Sequence, residues 1–269
     1  MSTIALVGNL ALDRVGGGDP RPGGGVFHAA RAAVRIGADV GVATRCAPAD
    51  RTVALAPLEA LGIPVTCADA RETTRFSFHY EGDHRVMEVD AVGDPWTEDD
   101  VAGWAAPVVA EARWVLVAGL LRSHFPLTTV EALARDRRRL LLDAQGLVRL
   151  ARTGPLVRDA SVDRRVLEHV AVLKANENEA RILAGGLERE ALRALGVPEV
   201  VLTLGSRGAL VVEPERATPI APHPLPEGVD PTGAGDAFSL VYLDGRARDL
   251  SPVDAAERAA AAVAALLGS

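Results

Sequence analysis

Short runs of apolar residues recur along the chain, and each run has about the length of a buried β-strand. Continuous apolar runs of this length are typical of strands that are covered on both faces of a parallel sheet. Six segments have the pattern: 4–10 (IALVGNL), 40–45 (VGVATR), 114–120 (WVLVAGL), 139–144 (RLLLDA), 170–175 (VAVLKA) and 199–205 (EVVLTLG).

Helix-like segments lie between these runs, and an alanine-rich segment follows the last of them. Strands separated by helices predict βαβ units, and therefore a mainly parallel sheet with helices on both faces. We predict an α/β fold of three layers, α/β/α, in a single domain over residues 1–269. The predicted helices are 27–36, 53–61, 127–138, 177–184, 188–195 and 252–267.

One section departs from this pattern. Residues 73–90 (TTRFSFHYEGDHRVMEVD) alternate apolar and polar side chains around EGDH, which predicts an antiparallel hairpin with one wet face. The glycine-rich segment 15–25 supplies neighbouring extended chain. We expect 14–22 and 71–92 to form a small β lid on the α/β body. The alternative is a hairpin at the edge of the main sheet.

Composition excludes several classes of protein. The formal net charge of −7 argues against nucleic acid or an anionic membrane as the main partner. No apolar run reaches the roughly 18 residues that a spanning helix needs. The first residues lack the basic segment of a signal peptide, and Cys46 and Cys67 have no spacing typical of metal ligands. We therefore expect a cytoplasmic protein.

The chain contains a single lysine, Lys174. A Walker-type phosphate loop needs a GK[ST] lysine, and a protein kinase needs a strand lysine, so neither class fits. Ligands of parallel α/β sheets bind beyond the carboxyl ends of the strands. Several polar segments follow predicted strands there, among them KANENE and LTLGSRG.

The segment 229–238 (VDPTGAGDAF) predicts a loop and then a helix from about Ala234. Gly233, Ala234 and Gly235 would point successive amides at one spot, and the helix dipole would reinforce them. Such amides can stabilise negative charge that builds up during a reaction. Asp236 is unexpected beside a bound anion. It would either cap the helix or do chemistry of its own.

The whole of DPTGAGDAF resembles the C-terminal signature of the ribokinase-like, or PfkB, family of carbohydrate and nucleoside kinases. The resemblance implies a phosphotransferase that uses ATP and acts on an alcohol group of a sugar or cyclitol. It implies that Asp236 is the general base that deprotonates the acceptor hydroxyl. The amides of Gly233, Ala234 and Gly235 would then steady the transferring phosphoryl group.

Two further segments match the family on the nucleotide side. In KANENEA, Asn176 and Glu179 match the NxxE motif, which implies a magnesium site; read alone, the segment is typical of a capped helix with a solvated face. LTLGSRGAL resembles the strand-turn that binds nucleotide phosphates, and read alone it is a plain strand-turn-strand. The resemblance implies that ATP contacts the following residues: Thr203, Gly205, Ser206, Gly208 and Thr232.

The N-terminal half matches the family's acceptor side. GNLALD resembles the first strand, which ends in an aspartate that binds substrate hydroxyls; here it is Asp13. PGGGVFHAARAAVRIGADVGVATR resembles the first family signature, a Gly-Gly turn entering a helix, and implies substrate contacts from Gly24, Gly25 and His28. The family often has an asparagine where this chain has His28.

Finer features suggest a subgroup. FSFHYEGDHRVMEV and LDAQGLVR resemble the branch that includes inositol (cyclitol) kinases. Asp230 and Thr232 match positions that bind a monovalent cation in many relatives. The chain ends at Ser269, where relatives continue through a segment that completes that site and flanks adenine. A potassium requirement is therefore left open, and we expect an open adenine pocket. The alternation in 76–89 favours a homodimer through the lid.

Three alternatives compete with this interpretation. A nucleoside kinase of the same fold would need an aromatic surface for the base, for which Phe27, Phe76 and Phe78 are the candidates. A non-catalytic, sugar-binding regulatory homologue would have the same fold, although Asp236 and Glu179 are both present. A nicotinamide-binding oxidoreductase would need a G-x-G-x-x-G turn after the first strand, and the glycines fall elsewhere.

Overall fold

The computed structural model describes residues 4–81, 84–224 and 231–268. These residues form fourteen strands in two sheets. The strands are Ile4–Asn9 (β1), Ala11–Val15 (β2), Arg21–Gly23 (β3), Val40–Cys46 (β4), Val65–Asp69 (β5), Thr74–Glu81 (β6), His84–Ala91 (β7), Trp114–Val117 (β8), Arg139–Asp143 (β9), Gly154–Pro155 (β10), Val172–Asn176 (β11), Glu199–Thr203 (β12), Ala209–Val212 (β13) and Ala217–Ile220 (β14).

Helices connect most of these strands. Short 3₁₀ turns lie at Pro48–Asp50, Arg135–Arg137, Arg164–His169 and Gly205–Arg207. The α-helices are Gly25–Ile36 (α1), Arg51–Ala54 (α2), Ala56–Glu59 (α3), Glu98–Ala102 (α4), Ala106–Val109 (α5), Leu127–Ala134 (α6), Gln145–Val148 (α7), Glu177–Ala184 (α8), Arg189–Arg193 (α9), Ala234–Ala247 (α10) and Pro252–Leu267 (α11).

The large sheet has nine strands in the order β14-β13-β12-β11-β9-β8-β1-β4-β5. All of its neighbours are parallel except the pairs β12–β13 and β13–β14. Successive residues of β1 point to opposite faces, so Ile4 and Leu6 belong to one apolar core and Ala5 and Val7 to another. Helices cover both faces, which confirms the predicted three-layer α/β/α fold.

The predicted hairpin forms a second sheet, of five strands in the order β10-β7-β6-β2-β3. The alternative of a hairpin at the edge of the main sheet is therefore wrong. Pairing is antiparallel except between β2 and β6. The sheet is larger than the predicted segments 14–22 and 71–92, because it begins at Ala11 and includes β10. Within 71–92, residues 82–83 lie outside the described residues.

Two predicted helices differ from the structure. The predicted helix 53–61 is split into α2 and α3, and Pro57 stands in the first turn of α3, where its missing N–H costs nothing. The predicted helix 127–138 ends at Ala134, because Asp136 and Arg137 have positive φ angles that an α-helix cannot continue through.

No helix in the described ranges is long and apolar enough to cross a membrane.

His124 links the small sheet to the loop after β8 and is fully buried. Its Nδ1 accepts the N–H of Leu120 at 3.3 Å, and its Nε2 lies 3.4 Å from Oγ1 of Thr74 in β6. Burial, with a further contribution from the positive charge of Arg45, lowers the pKa of His124 to about 3. The imidazole therefore packs as a neutral ring.

This depressed pKa predicts a loss of stability in acid. An unfolded histidine has a pKa of about 6.5, so below that pH the unfolded state binds a proton that the folded state excludes. The contribution is complete above pH 6.5 and is lost toward pH 3, at about 1.4 kcal/mol per pH unit. Urea unfolding of wild type and His124→Asn between pH 7 and 4.5 measures it. The variant should lose less stability on acidification, and parallel pH dependences would contradict the account.

Candidate active site

The glycine loop begins at Gly233, the residue before helix α10. Its backbone is left-handed, with φ 81° and ψ −1°, a conformation that costs residues with a side chain about 1–2 kcal/mol. A β-carbon at this position would also lie 2.6 Å from the imidazole ring of His28 in α1. A glycine is therefore needed here on two grounds, and the loop packs directly on α1.

Asp236 stands in the first turn of α10 and is partly exposed. Its Oδ1 lies 2.9 Å from the position that a β-carbon on Gly25 would occupy, in the first turn of α1. The carboxylate therefore lies between the N-terminal ends of two helices. Both helix dipoles favour negative charge there.

Lys174, near the end of β11, lies beneath the same loop. Its Nζ donates a hydrogen bond to Oδ2 of Asp143 at 2.9 Å, and both residues are buried. Asp143 ends the neighbouring parallel strand β9, in register with Lys174. The Nζ lies 2.9 Å from the position of a β-carbon on Gly235, so only a glycine lets the ammonium come this close to the loop.

The charges of this cluster shift one another's pKa values. Desolvation raises the pKa of Asp236, and the nearby Asp143 raises it further against the opposing effects of His28, Lys174 and Arg149. Burial alone would lower the pKa of Lys174, but Asp143, Glu179 and Asp236 together raise it. Lys174 therefore stays protonated, while Asp236 is a stronger base than an ordinary aspartate.

Asn176 and Glu179 form a reciprocal cap at the start of α8. The Asn176 N–H donates to Oε2 of Glu179 at 2.9 Å, and the Glu179 N–H donates to Oδ1 of Asn176 at 3.0 Å. Capping was one of the two interpretations of NENE, but the solvated face is wrong for Glu179, which is 3% exposed. Burial and the nearby Asp143 raise the pKa of Glu179.

Two clefts lie on either side of the glycine loop. The α1 cleft, of about 550 Å³, is lined by residues that include Asp13, Arg21, His28, Arg31, Thr232 and Gly233. The α8 cleft, of about 730 Å³, is lined by residues that include Lys174, Asn176, Thr203, Gly205, Ala234 and Gly235.

The structure brings most of the predicted site residues to these clefts. Ser206 and Gly208 also line the α8 cleft. Thr232, which the family resemblance assigned to ATP, lines the α1 cleft instead. Gly24 and Gly25 are buried at the start of α1 and line neither cleft. Asp230, matched to the monovalent-cation site, lies outside the described residues.

The sequence did not predict a role in the site for three charged residues: Asp143, Lys174 and Arg149. Asp143 and Lys174 are paired residues of neighbouring strands, β9 and β11, and this pairing is known only once the strand order is known. Arg149 has a buried Nε with no hydrogen-bond partner in the described part of the chain, and its charge lowers the pKa values of Asp236 and Glu179. In the described residues, no cluster of three or more His, Cys, Asp or Glu side chains has metal-site geometry.

The contact between Gly233 and His28 can be tested by a thermodynamic cycle. Gly185 provides a matched control, because it has nearly the same backbone angles (φ 80°, ψ −5°) and no atom within 4 Å of an added β-carbon. We expect Gly185→Ala to cost about 1 kcal/mol of unfolding free energy. Gly233→Ala should cost about 2–4 kcal/mol, because overpacking adds to the backbone strain.

Urea unfolding of both variants, in wild type and in His28→Ala, measures these costs. In the His28→Ala background, the cost of Gly233→Ala should fall toward that of Gly185→Ala, because only the contact with the β-carbon of residue 28, at 3.0 Å, remains. A cost that does not depend on residue 28 would show that the loop does not pack on His28.

Two kinases are similar to this chain in sequence. An inositol 3-kinase from Oryza sativa subsp. japonica is 30% identical over 230 residues, which are 82% of this chain. The match covers 53% of that relative, so the chain spans about half its length. A cytidine kinase from Thermococcus kodakarensis is 38% identical over 90 residues, 32% of each chain.

Two solved kinase structures have a similar fold over nearly the whole chain. A pyrophosphate-dependent kinase in the ribokinase family, complexed with a pyrophosphate analog and myo-inositol, has a TM-score of 0.84 and 25% identity and covers 98% of this chain and 94% of its own. An Arabidopsis thaliana ribokinase complexed with ribose and ATP has a TM-score of 0.75 at 18% identity, covering 100% and 94%, which shows the fold alone.

The model of the pfkB family carbohydrate kinases matches residues 10–269, which include both clefts and the glycine loop. This match confirms the family inferred from DPTGAGDAF, and the structural neighbours confirm its fold: the chain belongs to the pfkB family of carbohydrate kinases.

Proposed function

We propose that this protein is an ATP-dependent kinase that phosphorylates a hydroxyl group of a small polyhydroxylated acceptor, a sugar or a cyclitol. The observation that carries the proposal is the position of the glycine loop between two clefts. Thr232 and Gly233 line the α1 cleft, and Ala234 and Gly235 line the α8 cleft. A group transferred from one cleft to the other passes the amides at the start of α10, whose first turn carries Asp236.

Asp236 is the general base of the proposed reaction. It accepts the proton of the acceptor hydroxyl, whose oxygen then forms a bond to the γ-phosphorus of ATP. The bond from that phosphorus to the bridging oxygen breaks, and ADP leaves. A raised pKa supports this role, because a base works best when its pKa approaches the working pH.

The amides of residues 233–235 stabilise negative charge on the phosphoryl group in flight. Lys174 supports them from below, since its ammonium lies against Gly235 and stays protonated. Charged groups that are already in place stabilise a transition state without reorganising during the reaction.

The α8 cleft is assigned to the donor. The loop after β12 supplies Thr203, Gly205, Ser206 and Gly208 near the phosphates, and Phe238, Ala260 and Val263 provide an apolar wall suited to adenine. A donor without a base, such as pyrophosphate, has no apolar group that would pack against these side chains.

The residues present fit a magnesium ion held together with the donor phosphates. Mg²⁺ is commonly bound by one or two carboxylates, water and substrate phosphates. Glu179 uses only Oε2 in the helix cap, so its Oε1 remains for a cation or its water. Asn176, its partner in that cap, lines the α8 cleft. The raised pKa of Glu179 is typical of a buried carboxylate that a cation would stabilise. Bound magnesium would neutralise charge on the phosphates.

The α1 cleft is assigned to the acceptor, with Asp13 and His28 as its hydrogen-bonding groups. Phe78 and Val15 of the small sheet also line it, so that sheet covers the acceptor as a lid. A covered acceptor excludes water and protects the donor from hydrolysis. Exposed strands of the lid also favour a homodimer.

Proteins similar to this chain suggest one alternative donor and one alternative acceptor. Pyrophosphate is the alternative donor, because the structural neighbour with 25% identity is a pyrophosphate-dependent kinase. A nucleoside is the alternative acceptor, because the cytidine kinase matches a third of the chain and Phe27 and Phe78 line the α1 cleft.

The proposal predicts that Asp236→Asn lowers kcat by about 10²–10⁴-fold, the usual contribution of a general base. Wild-type kcat should also fall as the pH drops through the raised pKa of Asp236, since only the carboxylate accepts a proton. Donor turnover with ATP or pyrophosphate, over a panel of sugars, cyclitols and nucleosides, measures both effects.

Asp254→Asn is the matched control, because it makes the same change in the first turn of α11, away from both clefts. Its activity should equal that of the wild type. Equal turnover by wild type and Asp236→Asn on every acceptor would overturn the role of the base. Turnover with pyrophosphate but not with ATP would overturn the donor assignment alone.

A further inference from the structure

The described residues that line the α1 cleft carry more positive than negative charge, although the chain as a whole carries a net charge of −7. Its lining contains one carboxylate, Asp13, and three guanidinium groups, those of Arg21, Arg31 and Arg35. A neutral polyol needs hydrogen-bonding groups but no excess of positive charge. The imbalance therefore points to an anionic ligand.

Within the part of the chain that the structure describes, two of these guanidinium groups have no carboxylate partner. Arg35 donates to the carbonyl of Leu266 at 2.8 Å, at the end of α11. Arg31 lies over the ring of Phe27, with 5.8 Å between its Cζ and the ring centroid. Among the described residues, no carboxylate forms an ion pair with Arg21 or Arg31. Both stand ready to bind an anion from solution.

The position of Arg31 suits one end of an acceptor molecule. His28, Arg31 and Arg35 follow one face of α1, since residues three and four apart on a helix are neighbours. Arg31 is six residues beyond Gly25, where an added β-carbon would lie 2.9 Å from Oδ1 of Asp236. Arg31 therefore lies about 9 Å farther along the axis of α1 than the base.

We propose that the acceptor carries an anionic substituent, a phosphate or a carboxylate group, which Arg31 and Arg21 bind while the hydroxyl at the other end of the molecule reaches Asp236. This inference rests on the proposed kinase function and narrows its substrate class. Guanidinium groups suit the role because they bind the oxygens of phosphate or carboxylate with two parallel hydrogen bonds.

The test compares matched pairs of acceptors that differ in one anionic group. They are myo-inositol and myo-inositol 1-phosphate, ribose and ribose 5-phosphate, and glucose and gluconate, each with ATP and with pyrophosphate. In at least one pair, the anionic member should have a kcat/KM at least about tenfold higher, as expected for one charge-assisted hydrogen bond. The phosphate and carboxylate pairs distinguish the two groups.

Arg31→Gln should lower kcat/KM for the anionic acceptor by about tenfold to a hundredfold, through KM, and leave the neutral acceptor and the donor unchanged. Arg152→Gln is the control, because Arg152 is an exposed arginine outside both clefts. It should change neither acceptor. Added salt should raise KM for the anionic acceptor more than for the neutral one.

Equal or better use of the neutral members would overturn the inference, as would an Arg31→Gln effect of the same size on both members of a pair. Either result leaves the proposed kinase intact. If no acceptor, neutral or anionic, supports donor turnover that depends on Asp236, the proposed function itself fails.

Discussion

The ion pair between Lys174 and Asp143 is the constraint on which the site depends. Both charges are buried, and each would be costly without the other: removing one partner of such a pair typically costs about 3–5 kcal/mol. The pair forms because β9 and β11 are neighbours in the parallel sheet and end at the same edge. It sets a fixed positive charge against Gly235, and that charge lowers the pKa of Asp236 without cancelling the desolvation that raises it.

Around this pair, the backbone of the glycine loop and the N-terminal ends of two helices form the site. Helices α1 and α10 both begin at the same edge of the sheet, so their N-terminal dipoles converge on Asp236. The glycines allow that convergence, because β-carbons would collide with His28 at one position and approach Lys174 at another. The structure explains how a carboxylate can stand beside an anion-binding loop. Asp236 reaches toward the start of α1, whereas the ammonium of Lys174 lies against Gly235.

The apolar pattern predicted the central strands well because those strands are buried on both faces. It missed β5 and β14, which are half exposed and carry no continuous apolar run, and the short strands β10 and β13, which have two and four residues. The family motif located Asp236 and the loop. It did not locate the pair of Lys174 and Asp143. Strands β9 and β11 are separated in the sequence by β10, which belongs to the small sheet, and only the folded structure shows that they are neighbours. Nor did the motif indicate the charge of the α1 cleft, which depends on side chains from β3 and α1 that meet only in the folded protein.

The proposed function requires that the fold raise the pKa of Asp236 in the absence of any substrate. Carbon-13 NMR titration of the aspartate side-chain carboxyls measures this directly, with Asp236→Asn identifying the resonance. An ordinary aspartate titrates near pH 3.9. We predict that the carboxyl of Asp236 titrates clearly above that value, because desolvation raises its pKa. Titration at or below the ordinary value would contradict it.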